Sequence, residues 1–384
     1  MPVTYVKSKI LYTGNGRQIP EGMLEIKDGI LTAVGQNLPV PEDAILLDYS
    51  GFSIFPGLID ASSHLGINKE PFNYLTDTRD GADASDPFTP ALLAEDAFDP
   101  FSPALDAARA FGITTCFAAC GHSNLIDGQG ASFKLKKAET SDQMLIPGSR
   151  QMNFSVGEFP VRSYAPMKRS PMTRMSANAM LREKLSKARQ LLDEQKEETA
   201  DPTLKALLPV LKREQKARFF CHAAQDLAMA VRFGEEFGLD FTIDGGYEAW
   251  KMPDFWKAHP VSFVLNALPF GPMQTTIKSW YDFSLDNAAI LAQSGCLLAL
   301  TADDVTNTAR LPFMAGFLTA HGLSMDTALR AVTETPARIL GLDKKTGTLE
   351  VGKDADFAVW DGHALLSTSR CLASYIEGCE VYRA

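Results

Sequence analysis

A chain of 384 residues, 45% hydrophobic and 22% charged, is long enough for one large α/β domain plus a smaller one and too apolar to remain disordered. Its 47 acidic against 37 basic residues, a net charge of −10, disfavour a nucleic-acid or anionic-membrane partner, since either calls for a basic face, and favour a small-molecule substrate or ligand. Six scattered cysteines with no CxxC repeat, no basic-then-apolar leader in "MPVTYVKSKILYTGNG" and no long apolar run fit reduced thiols in a cytoplasmic, non-membrane protein.

The first fifty or so residues read as short strands, with Asp28-Gly29 supplying the positive φ values of a tight hairpin. The chain end, "DADFAVWDG" and "YIEGCEVYRA", reads the same way, so the two ends can pair. Between them the pattern becomes strand, loop, helix. Apolar strands recur at "FSIFPGLIDA", "GITTCFAAC", "QMNFSVG", "RFFCHAA", "DFTIDGG", "PVSFVLNAL" and "CLLALTAD", and "SANAMLREKLSKARQLLDEQKEE" places Leu181, Leu185, Ala188 and Leu192 on one helical face. Seven strands in this rhythm predict an α/β chain built as a (β/α)8 TIM-like barrel whose eighth strand is not visible in the pattern. A doubly wound open sheet is the alternative, without a Gly-rich dinucleotide turn to support it. The expected boundaries are a composite β-sandwich domain of residues 1–54 and 346–384, with the barrel at 55–345. The long acidic stretch 66–103 is expected over the barrel mouth.

Candidate chemistry follows from position. Of the six histidines, His64 and His222 end predicted strands and His122 follows one, and the carboxyl ends of barrel strands converge on one face. His259, His321 and His363 fall elsewhere and receive no role. Asp303 or its neighbour Asp304 ends the strand "CLLALTADD" and could bind a metal or move a proton, or simply cap a helix. Glu158 could be an oxygen ligand, or an ion-pair partner of Arg162; Arg162 could instead meet a substrate carboxylate. Lys134 reads as a surface cation. Metal-free chemistry at Cys120 or His122 lacks a base and orienting acid for the thiol.

"PGLIDASSHLG" resembles the first-strand signature of the amidohydrolase superfamily, and "GTLEVGKDADFAVWDGHAL" resembles its closing element. The subgroup it most resembles is that of imidazolonepropionase-related amidohydrolases, through "DPFTPALLAEDAFDP", "GITTCFAACGHSNLIDGQGASFKL", "VGEFPVRSYA", "EEFGLDFTIDGGYEAW" and "GLSMDTALRAVTETPARILGL". The resemblance implies a His-x-His pair on the first strand, where this chain has Ser62 and His64. It implies a histidine at or beside His222, with Phe220 or Ala224 at the neighbouring place, and another where Gly245 stands. The family aspartate falls on Asp303. Losing two imidazoles makes a binuclear centre unlike this chain and leaves His64, His222 and Asp303, with Glu158 or His122 in reserve, to hold one zinc or manganese ion. Asp303 would then serve as ligand and acid/base in hydrolysis of an amide or cyclic amide, with His122 and Arg162 on the substrate side. The other expectation is a silent relative that binds a small ligand or partner without metal. By resemblance a homodimer is the expected assembly.

Overall fold

The computed structural model describes residues 3–68, 80–266, 282–302 and 308–384. The strands in chain order are β1 (Thr4–Tyr12), β2 (Gln18–Pro20), β3 (Gly22–Lys27), β4 (Ile30–Gln36), β5 (Ile45–Pro56), β6 (Leu58–Ser63), β7 (Ile113–Ala118), β8 (Ile126–Lys134), β9 (Gln151–Ser155), β10 (Ala217–Cys221), β11 (Phe241–Gly245), β12 (Ser262–Asn266), β13 (Leu297–Thr301), β14 (Phe357–Trp360), β15 (Cys371–Ile376) and β16 (Cys379–Arg383).

The two ends of the chain do pair. One sheet runs β16-β15-β14-β5-β1-β3-β4, with β2 on β1, so C-terminal strand β14 lies antiparallel to N-terminal strand β5, Val359 opposite Ile54. The hairpin between β3 and β4 turns at Asp28 (φ 50°) and Gly29 (φ 81°), both left-handed, with Lys27 opposite Ile30, as the Asp-Gly pair predicts. Val6, Leu24, Ile54, Phe357 and Tyr375 form its core.

The second sheet is a nearly closed barrel, β13-β12-β11-β10-β9-β8-β7-β6. Strands β6, β7, β9 and β10 are buried on both faces, which is why they read as apolar runs rather than alternating ones. Side chains join the two ends of the sheet: the Thr301 hydroxyl donates to Asp60 Oδ1 at 2.5 Å and to the Ser62 carbonyl. The helix Glu334–Leu340 packs Ile339 against Ala61, Val264 and Ala299. The helix Arg174–Asp193 buries Leu181, Leu185 and Ala188 as its periodicity requires, starting at a Thr173 capping box.

The barrel departs from (β/α)8 at one place. The eighth strand is β8, and it runs antiparallel to both β7 and β9. Residues 119–125 therefore connect β7 to β8 as a loop at the carboxyl end of β7, where a parallel barrel would need a helical crossover. The sequence "IDGQGASFK" hid this strand because glycines interrupt it: Gly128 lies at φ +123°, and a Cβ at Gly130 would strike the Phe117 ring at 2.5 Å. Lys134, at the far end of β8, corrects the surface reading. It is 4% exposed, and its Nζ lies 2.5 Å from Asp354, 3.2 Å from Asp356 and 3.0 Å from Glu377. The lysine ties the barrel to the terminal sheet.

Among the described residues, no helix is long and apolar enough to cross a membrane.

Candidate active site at the barrel mouth

Alternate residues of a strand share a face, so Arg218, Phe220 and His222 leave β10 on the same side. His222 follows the strand end and is 3% exposed. Its ring stacks on Tyr247 (centroids 4.0 Å, 9° between planes) and meets the Phe220 and Phe159 rings edge-on. Burial without a counter-charge pulls its pKa down to about 3, so the ring is neutral at physiological pH. Its Nδ1 is buried with no hydrogen-bond partner.

His122 stands in the 119–125 loop. Its ring lies flat on Phe220, centroids 3.3 Å apart and planes 3° apart, and 5.4 Å from the His64 ring. Neither His122 ring nitrogen has a hydrogen-bond partner, and burial, then the neighbouring His64, keeps its pKa far below the ordinary histidine value. His64 is held differently. Its Nδ1 sits 2.9 Å from the Ala119 carbonyl, which can only accept, so Nδ1 carries the proton and the lone pair falls on Nε2. His122 and His222 thus both pack against Phe220, and His64 lies beside His122.

The two unexpected residues of the signature are explained by what surrounds them. Ser62 is 1% exposed, and its hydroxyl donates across the barrel to Asp244 Oδ2 at 2.7 Å. The same oxygen accepts from Arg218 Nη1 at 2.8 Å. Arg218 also donates to Gln151 and lies over the Phe117 ring, 4.1 Å from its centroid. Asp244 Oδ1 and Arg218 Nη2 have no hydrogen-bond partner. Gly245 has φ +104°, and a Cβ there would lie 2.5 Å from both Cε1 and Nδ1 of His222. The imidazole of His222 fills the space that a side chain at 245 would take.

Glu158 does not pair with Arg162. It opens the helix Glu158–Tyr164 and lies 3.6 Å from Arg174, which also grips Asp226. Arg162 is exposed on that helix. Asp303 and Asp304 lie outside the described residues. Among the described residues no group of three histidine, cysteine or acidic side chains is close enough to hold a metal ion. The Cys120 thiol is buried and pushed up to about 12, which removes it as a nucleophile.

Sequence reasoning missed Asp60, Arg218, Asp244 and Tyr247. The signal was available for the first three: a charge inside a strand expected to be buried on both faces requires a partner on a neighbouring strand. Asp60 is fully buried, and burial raises its pKa to about 7 despite hydrogen bonds from Thr301 and Thr308.

An amidohydrolase of Thermotoga maritima has the same fold over its whole length, with TM-score 0.90 and 31% identity, covering 99% of this chain and 100% of that one. The chain belongs to the amidohydrolase family. The amidohydrolase family model itself matches residues 285–378 of this amidohydrolase. The amidohydrolase tasK of Hapsidospora irregularis is 25% identical over 393 residues, which is 93% of this chain but only 39% of that protein's length. Imidazolonepropionase of Mesorhizobium japonicum matches a short segment, 58% identical over 43 residues, or 11% of this chain and 10% of that one.

The described donors do not by themselves complete a metal site. Buried imidazole nitrogens of His122 and His222 without partners are what a Lewis acid would satisfy, whereas Ser62 is engaged by Asp244 and position 245 is closed by His222.

Proposed function

We propose that this amidohydrolase hydrolyses a C–N bond of an amide or cyclic amide, using at most one divalent ion, zinc or manganese. The observation that carries the reading is that His122 and His222, beside the carboxyl ends of β7 and β10, have buried ring nitrogens without hydrogen-bond partners, with the His64 ring 5.4 Å from that of His122. Family membership supports the reaction class, and the short match to imidazolonepropionase supports including cyclic amides in a substrate screen. When bound, the ion would polarise the acyl oxygen and lower the pKa of a bound water. The Nδ1 of His64 is committed to Ala119, and His222 offers a lone pair at pH 7 because burial keeps it unprotonated. Asp303, two residues beyond β13 in the sequence, takes the attacking water's proton and returns it to the leaving nitrogen. Arg162, exposed in the last turn of its helix, receives a substrate carboxylate. Glu158, held by Arg174, drops out of the ligand set in favour of His122.

A second reading is a relative that binds a small molecule without turnover. The hydrogen bond from Ser62 to Asp244 favours it, because the serine has been drawn into a buried ion pair away from any ligand role.

Elemental analysis of the protein purified without added metal, repeated after incubation with zinc or manganese, separates the two. About one equivalent, lost together with amide hydrolysis in His222→Ala, supports the hydrolase. No bound metal and no turnover in either sample refutes it and leaves the binding reading.

A further inference from the structure

Strand β8 carries a bulge near its start. Ile126 lies opposite Phe154 and Gly128 opposite Asn153, which leaves Asp127 as an extra residue between them. A bulge re-aims the side chain that it carries. Here the carboxyl group of Asp127 turns back toward the 119–125 loop. Its Oδ1 accepts the backbone N–H of Asn124 at 2.7 Å, and its Oδ2 accepts the hydroxyl of Ser155, the last residue of β9, at 2.6 Å. The residue is 3% exposed, and among the described residues no lysine or arginine pairs with it. Burial raises its pKa well above the ordinary aspartate value, against the opposing pull of hydrogen bonds from Ser155, Asn124 and Ser123. Burying a carboxyl group without a cation is costly, and the bonds to the loop and to β9 are what offset that cost.

The loop depends on such an anchor because His122 does not hold itself. Neither of its ring nitrogens has a hydrogen-bond partner, so its position comes from the face-to-face stack on Phe220 and from the path of the loop backbone. On the β7 side that path is fixed through Ala119 and Gly121, whose N–H groups donate to the Ser63 and Gly81 carbonyls. On the other side, two residues beyond His122, it is fixed at Asn124. The Asn124 side chain is taken up by the Tyr164 hydroxyl, the Asp83 carbonyl and the Thr89 hydroxyl, and its backbone N–H goes to Asp127. Tyr164 ends the helix that carries Arg162, so Asn124 also joins the His122 loop to that helix.

We propose that Asp127 is a positioning residue, whose bulged carboxyl group anchors the 119–125 loop and thereby holds the His122 ring against Phe220 at the barrel mouth. The inference rests on the reading above in which His122 takes part at the mouth, and it calls for no bound ion.

The test compares the unmodified chain with Asp127→Leu and Asp127→Asn by NMR of histidine ring carbon-bound protons, the His122 signals being those missing from His122→Gln. Stacking on Phe220 should shift the His122 signals upfield in the unmodified protein. Asp127→Leu, which removes the acceptor, should return them toward the position of an unstacked imidazole while the His222 signals stay in place. Asp127→Asn keeps an acceptor for the Asn124 N–H, and the Ser155 hydroxyl can turn to accept from the new amide, so it should retain the upfield shift. An upfield His122 signal that persists in folded Asp127→Leu, or one lost equally in both variants, overturns the proposal. Should Asp127→Leu fail to fold, amide hydrogen exchange of the unmodified protein decides: slow exchange at Asn124 supports the anchor, and exchange at the rate of a free loop overturns it. With an amide or cyclic amide found by screening, kcat/KM should fall by up to about a hundredfold in Asp127→Leu, the scale of a misplaced group, and by far less in Asp127→Asn. If the unmodified protein turns over none of them, the hydrolase reading fails while the NMR comparison still decides the role of Asp127.

Discussion

Removing Asp244 tests the buried network directly. The carboxylate and Arg218 are each 1% exposed, and the carboxylate is the acceptor for both the guanidinium and the Ser62 hydroxyl. In Asp244→Ala the guanidinium keeps only Gln151 and the Phe117 ring, so a charge is left in the barrel interior without its counter-ion. Breaking such a pair from one side costs about 3–5 kcal/mol, and the buried Ser62 hydroxyl left without its acceptor adds about 1–3 kcal/mol. Replacing both partners by apolar residues, Arg218→Met with Asp244→Leu, removes the stranded charge and should cost less than either single change. Urea unfolding followed by tryptophan fluorescence gives the three free-energy differences, and the double-mutant cycle should show coupling well above about 1 kcal/mol. An Asp244→Ala protein within about 1 kcal/mol of the parent, or a double variant as unstable as the sum of the singles, would refute the reasoning.

Four other outcomes are expected. Gly245→His should not raise zinc stoichiometry and should destabilise the fold by at least about 1–3 kcal/mol, because φ is +104° and the new Cβ would meet the His222 ring; tighter zinc binding with unchanged stability would count against this. Asp60 has a folded-state pKa near 7, raised by burial above an unfolded value of 3.8, so its contribution to stability is complete below about pH 4 and is lost as pH rises through 7. Asp60→Asn should therefore gain on the parent by about 2–3 kcal/mol between pH 5 and pH 8, and parallel stability curves would contradict the assignment. Of the six free cysteines only Cys379 is exposed, so a native-state thiol titration at pH 8 should show one fast group, which Cys379→Ser removes. Lys134→Met leaves Asp354, Asp356 and Glu377 without their shared cation and should cost about 3–5 kcal/mol; a loss below about 1 kcal/mol in thermal or urea unfolding would show that the tie carries little.

The parts of the fold that depend on local periodicity were legible in the sequence. Short apolar runs such as "RFFC" and "LLALT" between turn signals read as strands buried on both faces, and Asp28-Gly29 reads as a two-residue hairpin turn. Strand β8 was not legible because its glycines serve close approach to Phe117 and Leu92, which is a tertiary requirement without local signature. The same limit applies at the mouth. That His64 and His222 end strands could be read from neighbouring residues, but the partner of Ser62 lies 182 positions away on β11, and nothing local announces it. Gly245 read as a lost ligand; only the position of the His222 ring shows that a side chain there is sterically barred. Lys134 was misread for the same reason, since its three carboxylates come from the far end of the chain.

The reversed direction of β8 has a mechanical consequence. A parallel barrel shields each strand with the helix that leads to the next, but a hairpin brings no helix with it. Here the wall is covered by the segment before β7: Phe88 bridges to Ile126, Leu93 bridges to Gln129, and Asn124 donates to the Asp83 carbonyl and the Thr89 hydroxyl. Gly121, next to His122, donates its backbone N–H to the Gly81 carbonyl. A displacement of residues 81–93 is therefore transmitted through backbone contacts to the loop that carries His122, with no intervening helix to absorb it.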